Sequence, residues 1–149
     1  MNWSYIAGFF DGEGSVAHNG MGFRISIPQT SEEVLNKIRR FTKIGFVIPV
    51  KKRKSHWKDS WVYYIASKKD VYYFLNQAVP YLIVKKDLTL EAMSLLKKQL
   101  LRMQDKKKTH DKRKIEAKLL RLKGWDYRKI GKELNIDWGY ARRLVLDLT

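Results

Sequence analysis

The sequence predicts an α+β fold built on an antiparallel sheet. Two observations predict it. Segments with helical apolar spacing alternate with pairs of short strand-forming runs. Each pair is joined by a turn or a polar loop, with no sign of a parallel crossover. A length of 149 residues suits one domain with a small appendage.

Trp3–Asp11 reads as a short apolar helix, ended by Gly12 and Gly14. Ser15–Asn19 and Phe23–Ile27 read as strands joined by the turn Asn19-Gly20-Met21-Gly22. Phe23, Ile25 and Ile27 alternate with Arg24 and Ser26, so one face is core and the other polar; Pro28 closes the strand. Ser31-Glu32-Glu33 starts a helix. The hydroxyl can cap free amides and the acids complement the positive helix end. Val34, Leu35, Ile38 and Phe41 form its apolar face, and Gly45 ends the segment.

Phe46–Val50 and Trp61–Ala66 form a second hairpin around the basic loop Lys51–Asp59. Lys68–Ala78 is a helix with Val71, Phe74 and Leu75 inward. Pro80–Lys86 reads as a loop and Asp87–Met103 as a long amphipathic helix. The order over residues 1–105 is therefore αββαββα. Gln104–Lys114 is a charge run that reads as a linker or an exposed helix start. Residues 106–149 then form a helical subdomain, with Ile115–Leu122, Tyr127–Leu134 and Trp138–Leu148 helical and Gly124 as a stop.

Charge narrows the function. Lys and Arg number 31 against 15 Asp and Glu, a net charge of +16. A body this small with that charge repels itself, and a polyanion relieves the repulsion. Nucleic acid is the first candidate and a membrane surface the second. The chain has no cysteine, which excludes disulfides, thiol catalysis and Cys-based zinc sites. His18, His56 and His110 lie far apart and do not suggest a histidine metal site. No apolar run is long enough to span a bilayer. Met1–Phe10 lacks the basic region of a signal peptide, so a cytoplasmic protein is expected.

Asp11 and Glu13 fall at the C-terminal end of the first helix, where the helix dipole disfavours carboxylates. A plain Asp-Gly/Glu-Gly turn is one reading. A divalent cation neutralising the acidic helix end is the other. The whole string Tyr5-Ile6-Ala7-Gly8-Phe9-Phe10-Asp11-Gly12-Glu13-Gly14 decides between them. Ile6 to Gly14 resembles, position by position, the signature of LAGLIDADG homing endonucleases.

The order of elements through Met103 also resembles that family's fold, whose sheet is saddle-shaped. The single motif resembles the homodimeric branch. There the resemblance implies that motif helices of two subunits pack side by side, through Ile6, Ala7, Gly8 and Phe10, with Ala7 and Gly8 permitting the close crossing. It places Glu13 of each subunit beside a scissile phosphate, holding Mg²⁺ with the Gly12 carbonyl; Mn²⁺ or Ca²⁺ would be substitutes. Asp11 would support the helix end. Gln29 would order active-site water, and Lys85 would face the scissile phosphate, with Lys86 as its rival. The implied chemistry is metal-assisted phosphodiester hydrolysis.

A β-ribbon can enter the major groove. The polar faces of both hairpins are expected to do so, with Arg24 and Ser26 on one and Tyr64 on the other, ringed by Lys51, Lys52, Arg53 and Lys54. The tail supplies a second surface. Tyr127–Val145 resembles a helix-turn-helix, with Ile130, Leu134, Ile136, Ala141 and Leu144 at its apolar positions. Gly131 falls where the helices cross, Asn135 in the turn, and Asp137 at the second helix cap. Trp138, Tyr140, Arg142 and Arg143 would then face DNA, with Gly139 beside them.

The leading expectation is an intron-encoded, homodimeric endonuclease cutting both strands of a long, near-palindromic duplex. The alternative is a non-catalytic nucleic-acid-binding protein of the same fold, either a maturase bound to intron RNA or a transcription regulator. A basic chromatin-like protein is a weaker third reading.

Overall fold

The structure is a computed structural model that describes residues 1–18, 20, 22–52 and 54–146. The described chain falls into two compact units, Met1–Leu100 and Leu101–Thr149.

In the first unit the order is α1 (Trp3–Glu13), β1 (Ser15–His18), β2 (Phe23–Gln29), α2 (Glu32–Thr42), β3 (Phe46–Pro49), β4 (Trp61–Ile65) and α3 (Lys68–Ala78). A 3-10 turn at Val79–Tyr81 leads to α4 (Lys86–Leu122). The sheet is antiparallel, in the order β1-β2-β4-β3. Its core face carries Ile25, Ile27, Tyr63 and Ile65. Ile6, Ala7 and Phe10 of α1, Leu35 and Ile38 of α2, Val71, Phe74 and Leu75 of α3, and Ala92 and Leu96 of α4 complete the cluster. The expected α+β class holds.

Several boundaries differ from the expectation. α1 runs through Gly12 to Glu13, with Gly14 as its C-cap. A Cβ on Gly14 would lie 2.1 Å from the Phe10 ring, so only glycine allows the chain to leave the helix there. β2 continues through Pro28 to Gln29, pairing Pro28 with Val62. β1 begins at Ser15, opposite Ser26, so beyond that point β2 is an edge on that side, where proline is tolerated. Ser31 is the N-cap of α2 by backbone alone, without a side-chain bond. Thr42 joins Leu35 and Ile38 as buried, while Phe41 lies on the rim, edge-on to Trp3.

The largest correction is α4, one helix of 37 residues. The charge run at 104–114 is helix rather than linker. It contains no Gly or Pro, and Lys, Arg and Gln are good helix formers. The unit boundary therefore falls inside a helix, after Leu100 rather than near residue 105.

The second unit contains the end of α4, then α5 (Tyr127–Glu133) and α6 (Trp138–Leu146). Its core is Ala117, Ile130, Ala141 and Leu144. Gly124 has φ +84 where α4 stops. The expected residues 147–148 of the last helix lie outside the described residues.

Candidate active site and nucleic-acid interface

α1 ends with a carboxylate problem, and a loop distant in sequence solves it. Asp11 accepts three backbone amides: Ile83 at 2.8 Å, Val84 at 2.9 Å and Lys85 at 2.7 Å. Lys85 Nζ donates to the main-chain carbonyl of Asp11. A cation there meets the negative end of the α1 dipole, and the Asp11 carboxylate meets the positive end of α4. Burial pushes the Asp11 carboxyl up, but the three amides and the Lys85 charge outweigh it and hold it below its ordinary value. Asp11 is thus neutralised by protein groups. The cation expected at the acidic helix end is not needed for Asp11.

Glu13 is different. It is exposed at the last helical position, and its carboxylate takes no hydrogen bond or ion pair among the described residues. Gly12 beside it is also exposed, with nothing within 4 Å of where a Cβ would stand. Its carbonyl belongs to the last turn, where helix carbonyls lack intrahelical partners. No group of three or more His, Cys, Asp or Glu that could hold a metal occurs among the described residues. Glu13 and the Gly12 carbonyl form a sparse, hard-oxygen set. Mg²⁺ suits such a set, because it keeps several waters and takes one or two carboxylates plus substrate phosphates.

Lys85 is half-buried and tied to the motif helix, whereas Lys86 is exposed at the first position of α4. Gln29 ends β2 on the same alternation as Ile25 and Ile27. Its Oε1 accepts from Thr30 N at 2.8 Å and Thr30 Oγ1 at 3.2 Å. That commits Oε1 as an acceptor and leaves the NH₂ as the donor end of the amide. Among the described residues no hydrogen bond joins Gln29 to Glu13 or Lys85.

The residues expected at a subunit contact divide. Ile6, Ala7 and Phe10 are fully buried in the unit's own core and offer no surface to a partner. Tyr5, Gly8 and Gly12 are exposed along one side of α1 at helical spacing, with Phe9 half-buried among them and packed against the core. Ile83 and Val84, in the loop that Asp11 pins, are 86% and 80% exposed. Sequence reading missed both, because their exposure follows from the Asp11 contact.

On the sheet, Ser15, Ser26, Tyr64 and Phe46 form one row across all four strands. Ser15 Oγ and Ser26 Oγ are 2.8 Å apart. Arg24 is exposed on the same face, so the first hairpin is polar there as expected. The second hairpin is not. Its outward residues are Phe46, Ile48, Val62 and Tyr64. Lys51, Lys52 and Lys54 are exposed beyond it, with Lys52 paired to Asp59 at 2.9 Å. Arg53 lies outside the described residues.

In the second unit the residues expected of a helix-turn-helix lie around the connection between α5 and α6. A Cβ on Gly131 would come within 2.9 Å of the Ile136 carbonyl. Asn135 is left-handed at φ 49. Asp137 Oδ1 accepts from Gly139 N at 2.8 Å and Tyr140 N at 3.2 Å, capping α6. Trp138, Arg142 and Arg143 are exposed, while Gly139 is half-buried. Tyr140 is half-buried and committed, its hydroxyl 2.9 Å from His110 Nδ1. No helix among the described residues is long and apolar enough to cross a membrane.

Residues 2–78 match the family described as LAGLIDADG-like domain. Among solved structures, the archaeal intron-encoded homing endonuclease I-Vdi141I, complexed with DNA, is 20% identical at a TM-score of 0.50, with 96% of this chain and 93% of that chain covered. I-CvuI in complex with its target in the presence of Ca is 18% identical at 0.51, covering 64% of this chain and 66% of that one. This chain therefore spans just under two-thirds of the length of I-CvuI. The likeness is one of fold. A comparison with curated proteins finds no match.

Proposed function

The chain belongs to the LAGLIDADG family, and from that premise we propose that it is a metal-dependent, site-specific DNA endonuclease acting as a homodimer. One observation carries the reading: Glu13 stands exposed and unpaired at a helix end whose other acid, Asp11, is already neutralised. Exposed acids are commonly solvated; what sets Glu13 apart is its place at the negative end of α1, where a carboxylate is disfavoured unless a cation joins it. An unpaired acid beside a lysine held at the same helix end suits phosphate chemistry.

In this reading Glu13 and the Gly12 carbonyl would hold Mg²⁺, which when bound supplies activation of water and stabilisation of the attacking and leaving oxygens. Lys85 sets a positive charge beside the phosphate, and Asp11 positions it. Gln29, its Oε1 occupied by Thr30, donates its NH₂ to a water or phosphate oxygen. Tyr5, Gly8, Phe9 and Gly12 would meet a second copy, with Ile83 and Val84 as apolar tips on the loop beside them. Two copies present two half-site surfaces, hence a near-palindromic duplex target and a two-strand cut. An intron origin fits this activity.

The test is a plasmid library of long randomised inserts, incubated with Mg²⁺ or EDTA beside Glu13→Gln. Linearisation at one recovered site, lost in EDTA and in the variant, is the expected result. Tight duplex binding without cutting by a metal-replete dimer would overturn it in favour of a maturase or regulator.

A further inference from the structure

The outward face of the second hairpin is apolar where a nucleic-acid surface is expected to be polar. Phe46 is 64% exposed and Ile48 47%. They stand opposite Tyr64 and Val62, and Pro28 pairs with Val62 from the other side. Val50 prolongs the row, its amide donating to the Ser60 carbonyl at 2.8 Å. Contiguous exposed apolar surface marks a contact site.

Charge complementarity identifies the occupant. The patch runs straight into Lys51, Lys52 and Lys54, and Arg24 lies on the same sheet face. A cationic border suits a polyanion rather than an apolar protein partner. A duplex offers one apolar group in its major groove, the thymine C5-methyl, and apolar side chains read it. Phe46 to Val50 spans about 13 Å of strand. That matches about four base steps at about 3.4 Å per step.

We propose that Phe46, Ile48 and Val62 read thymine methyl groups, so that each half-site carries an obligatory T-containing segment under the second hairpin. This rests on the proposed DNA target. Polar readout would come from Arg24 and Ser26 on the first hairpin. The two hairpins would thus read different chemistry on the same groove.

The experiment takes duplexes recovered by the full chain from a randomised library and resynthesises them with deoxyuridine for thymidine, which removes only the methyl. Wild type should lose about fourfold in affinity per methyl buried. The double variant F46S/I48S should keep only the part of that difference that Val62 contributes. Both positions are exposed, so the fold is retained, as far-UV circular dichroism would confirm. Equal wild-type affinity for the two duplexes would overturn the inference. So would F46S/I48S lowering the oligomeric state in sedimentation while leaving the thymidine-to-deoxyuridine ratio intact, since the patch would then be a contact between copies. Recovery of no selective duplex at all would overturn the DNA-target reading itself, a distinguishable failure.

Discussion

Asp11 and Lys85 hold each other twice: the Asp11 carboxylate accepts the Lys85 amide at 2.7 Å, and the Lys85 ammonium donates to the Asp11 carbonyl. The end of the motif helix and the start of α4 are thereby locked, although 74 positions separate the two residues. The lock leaves Glu13 as the uncommitted acid of the motif.

Asp11→Asn should loosen this lock. An amide can accept some of the three backbone donors, but its NH₂ opposes them and its charge is gone. A stability loss of about 1 kcal/mol is expected, because water replaces part of the bonding at a half-exposed site. The pH dependence has a definite sign. Asp11 is held below its ordinary value when folded, so its contribution is full above the unfolded pKa of about 3.9 and is lost as pH falls through the folded value. Acid titrations followed by circular dichroism should show a shallower loss below about pH 4 in the variant than in wild type.

Lys85 and Lys86 should separate in function. Lys85→Met removes the ammonium fixed at the motif helix and should lower cleavage about a hundredfold or more at similar affinity, as for loss of a group acting on developing charge. Lys86→Met removes an exposed charge and should weaken binding slightly while leaving single-turnover cleavage near wild type. Equal effects in single-turnover assays would contradict the assignment of Lys85.

Some of this was legible in the sequence. Residues 68–78 give a helix in both readings, since Val71, Phe74 and Leu75 repeat at helical spacing. The turn around Asn135 was legible too, because left-handed Asn, crossing Gly131 and capping Asp137 are local chemistry. What failed was non-local. The partners of Asp11 lie more than 70 residues away. Helix phase misplaced Ile6, Ala7 and Phe10 at a subunit contact, because apolar residues on a motif helix can face either the core or a partner. The apolar face of the second hairpin needed the register that sets Phe46 against Tyr64 and Ile48 against Val62. The continuous α4 was hidden because a charge run looks alike in a linker and a solvated helix.

Tyr63 should matter for stability and not for cutting. Its hydroxyl lies 2.8 Å from Thr42 Oγ1 and donates to the Ile44 carbonyl at 2.9 Å, tying β4 to the end of α2. Tyr63→Phe should cost about 1–2 kcal/mol by orphaning these partners. Burial first of all pushes the phenol up to about 12. A folded value above the unfolded one means stability that is complete below about pH 10 and lost as pH rises toward the folded value. Wild type should weaken in that alkaline window, and Tyr63→Phe should lack this loss in denaturant titrations.

The second unit is expected to add affinity outside the cleavage site. Replacing Arg142 and Arg143 by Gln removes two exposed cations on α6. Binding of a long target should weaken, and the slope of log affinity against log salt should fall by about 2 if both meet phosphates. Cleavage within preformed complexes should not change. An unaltered slope on long duplexes would place these arginines away from DNA.

Gly8 offers the sharpest view of the proposed subunit contact. Within one chain a Cβ at Gly8 meets nothing within 4 Å. Intrinsic propensity alone therefore predicts that Gly8→Ala stabilises an exposed helix by about 0.5–1 kcal/mol. A close helix crossing predicts the reverse, because added atoms force two backbones apart. Gly8→Leu should leave far-UV circular dichroism intact, convert the dimer to monomer in sedimentation and abolish two-strand cutting. Retained dimerisation in Gly8→Leu, with the small stabilisation in Gly8→Ala, would mean that α1 faces solvent and that two copies meet elsewhere.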